Sequence, residues 1–328
     1  MTVTIEGRDG LDDEFLAAAL GAMSTTSGGD ALESLGWWDL LELLDDHEVR
    51  TGVFTLFRAQ GRTLSTSAAL GGLLAQPYLA AAAPSSGHLI ATMLRQSARR
   101  GPIDVVIGDV GGASLLLDRP GLGVWIVDAA DTELRMIDLP GRQLVHEVVV
   151  DLSGCAPTIS EADASAVRTR STYFGRVAAA AEILGAAEAT VTTAVEHAAN
   201  REQFGRPIGT FQAVRHLLAW ARTDCAALEA AIDQAILLDG AAPELYGKVV
   251  KALAGRNGRR TCERTLQVLG AIGFTADHDH HHFHSRVLVL DSLLGTSATH
   301  TYELGSRLRT GGIDPGFAAS MLYPGGAL

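Results

Sequence analysis

Lysine is almost missing from this chain. Its 26 basic residues include only two lysines, Lys248 and Lys251, and arginine makes up the rest. That bias speaks of a GC-rich genome more than of a mechanism. Cysteine is scarce as well: Cys155, Cys225 and Cys262 are far apart and form no CxxC pair, so they read as reduced thiols of a cytoplasmic protein. No run of about 18 apolar residues is free of charge, and no membrane span is expected. Residues 1–10 hold no basic segment followed by an apolar run, so no signal peptide is expected either. Positive charge is in deficit overall. A net charge of −12 argues against a nucleic-acid partner, because phosphate binding needs clustered cations.

The rest of the composition is that of a folded protein. The chain has 328 residues, 47% of them hydrophobic, enough for two or three packed units with a sizeable core. Its 36 glycines and its alanine runs, such as 80–83, suit closely packed helices. Apolar residues recur at helical spacing over 12–23 and 31–44, and the series continues over 65–74 and 86–99. Trp37 and Trp38 lie inside the second of these and read as core and interface aromatics. From Gly101 the pattern changes to short runs, 103–107, 113–117, 123–127, 134–137 and 144–150, set apart by Gly, Pro and Asp, which read as strands. Helical character returns at Ser160, where Ser160 and Asp163 resemble a helix cap. Helices are expected over 162–199, 210–238, 244–269 and 280–309, an antiparallel bundle. The expected fold is mainly α: a helical N-terminal domain (1–100), a small β domain (101–155) and a C-terminal four-helix bundle (156–328).

Three stretches of the bundle carry a family resemblance. They are Asn200-Arg201-Glu202-Gln203-Phe204-Gly205-Arg206-Pro207-Ile208-Gly209-Thr210-Phe211-Gln212, then Gln267-Val268-Leu269-Gly270-Ala271-Ile272-Gly273-Phe274, and, more weakly, Leu294-Gly295-Thr296-Ser297. In order and spacing they resemble the acyl-CoA dehydrogenase family, which the three-part layout also matches. The resemblance implies an FAD held between subunits, an acyl-CoA substrate and an electron-transfer flavoprotein as acceptor. Physically, Arg201 offers a forked set of donors to a diphosphate. Gln203 and Gln212 can hydrogen-bond phosphate, ribose or adenine edges, and Phe204 can cover an aromatic ring. The turn from Gly270 lets backbone approach a pyrophosphate, although Ala271 stands where the family has glycine. Gln267, Thr296 and Ser297 complete the cofactor contacts that the resemblance implies.

The family's catalytic carboxylate is missing. A glutamate removes the α-proton of the thioester while the flavin takes the β-hydrogen. At the place just before the Gly-Thr-Ser stretch this chain has Leu294, and at a second place, counted back from Gln267, it has Arg256. Neither can accept a proton at ordinary pH. Asp291 and Glu263 are the nearest substitutes, each also readable as a helix cap or a surface charge. The family's flavin-ring segment is missing too: Gly108-Asp109-Val110-Gly111-Gly112-Ala113-Ser114 stands in its region.

These losses resemble one chain of the actinobacterial enzymes built from two unlike subunits, where FAD lies between unlike chains and only one supplies the glutamate. The resemblance implies an α2β2 assembly, a second, unlike acyl-CoA dehydrogenase subunit as partner, and a bulky acyl-CoA such as a sterol side-chain thioester. Two alternatives stand beside it: a self-sufficient homomeric dehydrogenase with a displaced base, and a flavin-free scaffold. The tract His278-Asp279-His280-His281-His282-Phe283-His284 reads as a loop-to-helix junction facing solvent or a subunit interface, with no functional metal expected.

Overall fold

The computed structural model describes residues 21, 36–82, 87–97, 101–139, 141–142, 144–238 and 243–312. The helix expected over 12–23 lies outside these except for Gly21, as does the first part of that over 31–44. The described N-terminal helices are α1 (Trp37–Glu42), α2 (His47–Thr63) and α3 (Ala69–Ala75). Asp46 starts α2, its Oδ1 accepting from the N–H groups of Glu48 (2.8 Å) and Val49 (3.2 Å). Trp37 is fully buried and meets Phe57 edge-on at 5.6 Å between centroids. Trp38 stacks on His88 at 3.8 Å.

The helix expected over 86–99 is not formed. That stretch makes two strands, β1 (Leu89–Ala91) and β2 (Met93–Ser97). Strands β3 (Gly101–Ile107), β4 (Ser114–Arg119), β5 (Gly123–Asp128), β6 (Glu133–Ile137) and β7 (Val145–Val149) follow, close to the expected positions. They form two sheets, of order β1-β4-β5 and β2-β3-β7-β6. β1 runs parallel to β4, with Leu89 opposite Ser114, and β2 runs antiparallel to β3, with Met93 opposite Val105. Side chains of both sheets, among them Ile90, Leu115, Leu117, Val106 and Val148, share one apolar cluster.

The C-terminal bundle consists of α4 (Glu161–Asn200), α5 (Gln212–Leu237), α6 (Pro243–Leu269), α7 (His280–Ser292) and α8 (Ser297–Arg309). The Ser160 cap is present: its Oγ accepts from the Asp163 N–H at 3.3 Å. The last helical region, expected as one helix, is two. It breaks at Leu294 and Gly295, whose φ values are +57° and +93°, and glycine tolerates that conformation. By length and composition α4 could cross a membrane, but 78% of its most apolar window is buried inside this molecule, so it is a core helix. It touches α2 at two glycines. A Cβ on Gly61 would collide with the Glu182 carbonyl, and one on Gly185 with the Arg58 carbonyl. Arg286 of α7, fully buried, ties the bundle to the rest. It donates to Glu182 Oε1 (2.7 Å) and to the carbonyls of Leu64, Ser65, Gly141 and Arg142 at 2.9–3.0 Å.

Candidate functional site

At its C-terminal end α4 runs into a tight hairpin, β8 (Glu202–Gln203) paired with β9 (Arg206–Pro207). Both residues at its tip, Phe204 (φ +55°) and Gly205 (φ +76°), are left-handed, as a two-residue hairpin requires. The phenyl ring of Phe204 is thereby pushed out and is 92% exposed, meeting Phe211 edge-on at 6.1 Å. The Arg206 guanidinium lies 4.4 Å over the Phe211 ring. Arg201 caps α4 through its backbone, its N–H donating to the His197 carbonyl at 2.8 Å, while its side chain is exposed. Among the described residues no carboxylate lies within ion-pair reach of Arg201. Gln203 donates to the Glu202 carbonyl at 2.8 Å, and Gln212, the first residue of α5, is exposed.

The Gln267 block belongs to the same end of the bundle. Val268 packs with Ala194 and Ala198 of α4 and with Ile208 and Val214 beside the hairpin. Gln267 and Ala271 are exposed, Phe274 is 76% exposed, and the Gly270–Phe274 turn is a short 3-10 helix. Gly270 has φ +65° and open space where a side chain would begin, so its backbone is approachable. Burial lowers the pKa of His197, and the neighbouring Arg201 and His278 lower it further. The histidine tract is a loop-to-helix junction as expected, but it does not simply face outward. His280 is buried, its Nε2 is 3.0 Å from Thr265 Oγ1, and burial with its histidine neighbours brings its pKa down to about 4. Among the described residues no group of three or more His, Cys, Asp or Glu could hold a metal ion.

The third block is elsewhere. Lys251, which binds the turn at 293–296, and Gln267 are 16 residues apart on α6, or about 24 Å at about 1.5 Å per residue. One chain thus brings together Arg201, Gln203, Phe204, Gln212, Gln267, Gly270 and Ala271, and sets Thr296 and Ser297 toward the other end. Thr296 caps α8 by accepting from the Thr299 N–H at 3.0 Å. Ser297 is buried and bonded to Asp291, its Oγ donating to Oδ2 at 3.0 Å.

Among the described residues no carboxylate stands free at this turn. The Leu294 side chain points toward α4: a Cβ on Gly175 would lie 2.8 Å from Leu294 Cδ1. Gly175 is thus the residue that faces Leu294 from another helix, and the sequence alone did not single it out. Arg256 does not face the turn. Gly255 and Lys251 do, whereas Arg256 lies about 100° further round the helix and is exposed. Asp291 is engaged by Ser297 and by Lys251, and Glu263 is an exposed partner of Arg259 at 3.8 Å. In the flavin-ring region, Asp109 Oδ1 accepts from the Gly111 N–H at 3.0 Å, and Ser114 is fully buried, its N–H donating to the His88 carbonyl.

The chain is similar to known proteins. The family model described as acyl-CoA dehydrogenase, C-terminal domain, matches residues 165–308. The acyl-CoA dehydrogenase IpdE2 of Mycobacterium tuberculosis is 30% identical over 231 residues, which cover 69% of this chain and 68% of that protein. The acyl-CoA dehydrogenase FadE34 of the same organism is 32% identical over 253 residues, but this chain spans only 34% of its length. Among solved structures, the ChsE4–ChsE5 complex from Mycobacterium tuberculosis superposes with a TM-score of 0.68 at 19% identity, over 92% of this chain and 95% of that one, which is likeness of fold.

Proposed function

Because this chain belongs to the acyl-CoA dehydrogenase family, we propose that it is the auxiliary subunit of a heteromeric, FAD-dependent acyl-CoA dehydrogenase. It completes the cofactor site, and an unlike partner supplies the catalytic glutamate. One observation supports this reading: an exposed Arg201, with no carboxylate in reach among the described residues, stands beside the Gly270 turn in a chain that has Leu294 where the resemblance expects the base.

The residues at the hairpin end suit FAD. Arg201 grips the diphosphate with its forked N–H groups. Phe204 lays its exposed ring on an aromatic face of the cofactor, and Gln203, Gln212 and Gln267 offer amide groups to ribose and adenine. Gly270 and Ala271 let the pyrophosphate approach the backbone. When bound, FAD supplies the hydride acceptor for α,β-dehydrogenation of an acyl-CoA. Leu294 and Gly175 leave this chain no proton acceptor at the base position, so the α-proton goes to the partner's carboxylate. That the fold resembles a chain of the ChsE4–ChsE5 complex supports a partner, which we read as an unlike subunit in an α2β2 assembly. From the family resemblance of the sequence we read the acyl group as bulky, such as a sterol side chain, and the acceptor as an electron-transfer flavoprotein. The three unpaired thiols, Cys155, Cys225 and Cys262, suit a cytoplasmic location.

The test is Arg201→Ala in the co-expressed complex, with flavin absorbance read per complex. Loss of a charge-assisted contact worth about 1.5–3 kcal/mol weakens FAD retention roughly 10- to 100-fold. Unchanged flavin content would make the chain a scaffold and end this reading.

A further inference from the structure

The turn at 293–296 is held by side chains from four helices. Arg176 of α4 donates from Nε to the Leu294 carbonyl at 3.2 Å, and His300 of α8 reaches the same oxygen through Nε2 at 3.0 Å. Asp291, near the end of α7, accepts from the Ser297 N–H (2.9 Å) and Oγ (3.0 Å), so it bridges the break between α7 and α8. Beneath them lies Lys251 of α6, with no exposed surface. Its Nζ donates to the carbonyls of Asp291 (3.0 Å) and Gly295 (3.1 Å) and lies 3.5 Å from Asp291 Oδ1. One helical turn along, Gly255 makes the room, since a Cβ there would collide with the Asp291 carboxylate.

The choice of residue is informative. In a chain with 26 basic residues and two lysines, one lysine is placed where no charge is solvated. An ammonium has three N–H groups for three oxygens in a compact space, whereas a guanidinium is a flat fork. Burying it is costly: desolvation lowers its pKa to about 8. A buried charge is poor stabilisation compared with apolar packing, so its presence points to geometry rather than to stability.

We propose that Lys251 is a positioning residue, which together with Asp291 fixes the 293–296 turn so that Thr296 meets the shared FAD. This rests on the reading above, in which Thr296 belongs to the cofactor contacts. The Thr296 hydroxyl accepts from the Thr299 N–H at 3.0 Å and lies 2.9 Å from the Thr299 Oγ1; with the Thr299 hydroxyl as the donor of that pair, the Thr296 O–H is free to donate outward.

The experiment uses the co-expressed complex and the double variant Lys251→Met/Asp291→Asn, which removes both charges together and strands neither. FAD dissociation is measured by flavin fluorescence, beside the thermal melt of the same sample and beside the Arg201→Ala complex. The expected result is a cooperative melt with FAD held at least about tenfold more weakly than in the parent. FAD held as in the parent, while Arg201→Ala still weakens it, overturns the positioning role and leaves the proposed function standing. If neither variant alters FAD retention, both fall. Should the double variant not fold, Asp291→Asn alone can keep the Ser297 N–H bond through its amide oxygen and reverse the other, its NH2 donating to the Ser297 Oγ; it is expected to weaken FAD in the same direction, and unchanged retention there overturns the role equally.

Discussion

Lys251 also makes a prediction about stability alone. Its pKa is about 8 in the folded chain, against 10.5 ordinarily, with Asp291 the opposing charge and Arg176 the like charge facing it. Between those values the unfolded chain binds more protons than the folded one, so the contribution of Lys251 to stability rises with pH through this window. Cys225 and Cys262 act in the opposite sense, because burial pushes both thiols up to about 12 and the folded chain then binds the extra protons. Comparison with the double variant Lys251→Met/Asp291→Asn isolates the lysine. Urea midpoints of the two chains, measured between pH 7 and 9.5, should not run parallel: the parent should gain relative to the variant as pH rises. Parallel curves would mean that Lys251 keeps an ordinary pKa. Neither Lys251 nor Arg286 was legible in the sequence as a buried charge, because a lone basic residue in a helix reads as solvated. The signal that existed was rarity: the chain has two lysines and both lie on α6.

Among the elements, contact between α2 and α4 depends on glycine in a way that substitution can measure. A methyl on Gly185 would meet the Arg58 carbonyl, a backbone atom that no rotamer change can move. Gly185→Ala should therefore destabilise by about 1–3 kcal/mol, read as a lower urea midpoint at unchanged slope. Gly305 is the control. It lies in α8 with open space around it, so Gly305→Ala should stabilise by about 0.5–1 kcal/mol through helix propensity. If both changes are neutral, the tight crossing of α2 and α4 is wrong. The same contrast explains what sequence reasoning saw of the elements. The Ser160 cap, the five strands from β3 to β7 and the long bundle helices follow from local pattern and were legible. Residues 86–99 were misread because Leu89, Ile90, Met93 and Leu94 fit helical spacing as well as strands. What decides the matter is pairing of Leu89 with Ser114 and Met93 with Val105, and local periodicity carries no trace of that. The break at 293–296 was hidden for a similar reason, since Leu294 gives no sign of a left-handed backbone.

For the whole molecule, the separation of the two patches proposed to hold the cofactor matters most. The three blocks were legible as a family pattern, but their distribution was not: the hairpin and the Gln267 turn share one small core, while the Thr296 turn is about 24 Å away along α6. A single copy therefore offers one exposed end, with Phe204 and Phe274 facing solvent, and, among the described residues, no carboxylate free at the 293–296 turn. Aromatic surface of this kind is costly to leave in water and gains by being covered. This chain expressed alone should accordingly purify with little or no flavin. Co-expressed with an unlike subunit that carries the glutamate, it should yield a yellow complex whose mass is that of two copies of each chain. Flavin absorbance and native mass of the two preparations decide between the readings. A yellow assembly of this chain alone that oxidises acyl-CoA would place a base within it, and the bonds that Ser297 and Lys251 make to Asp291 would then have to open during turnover.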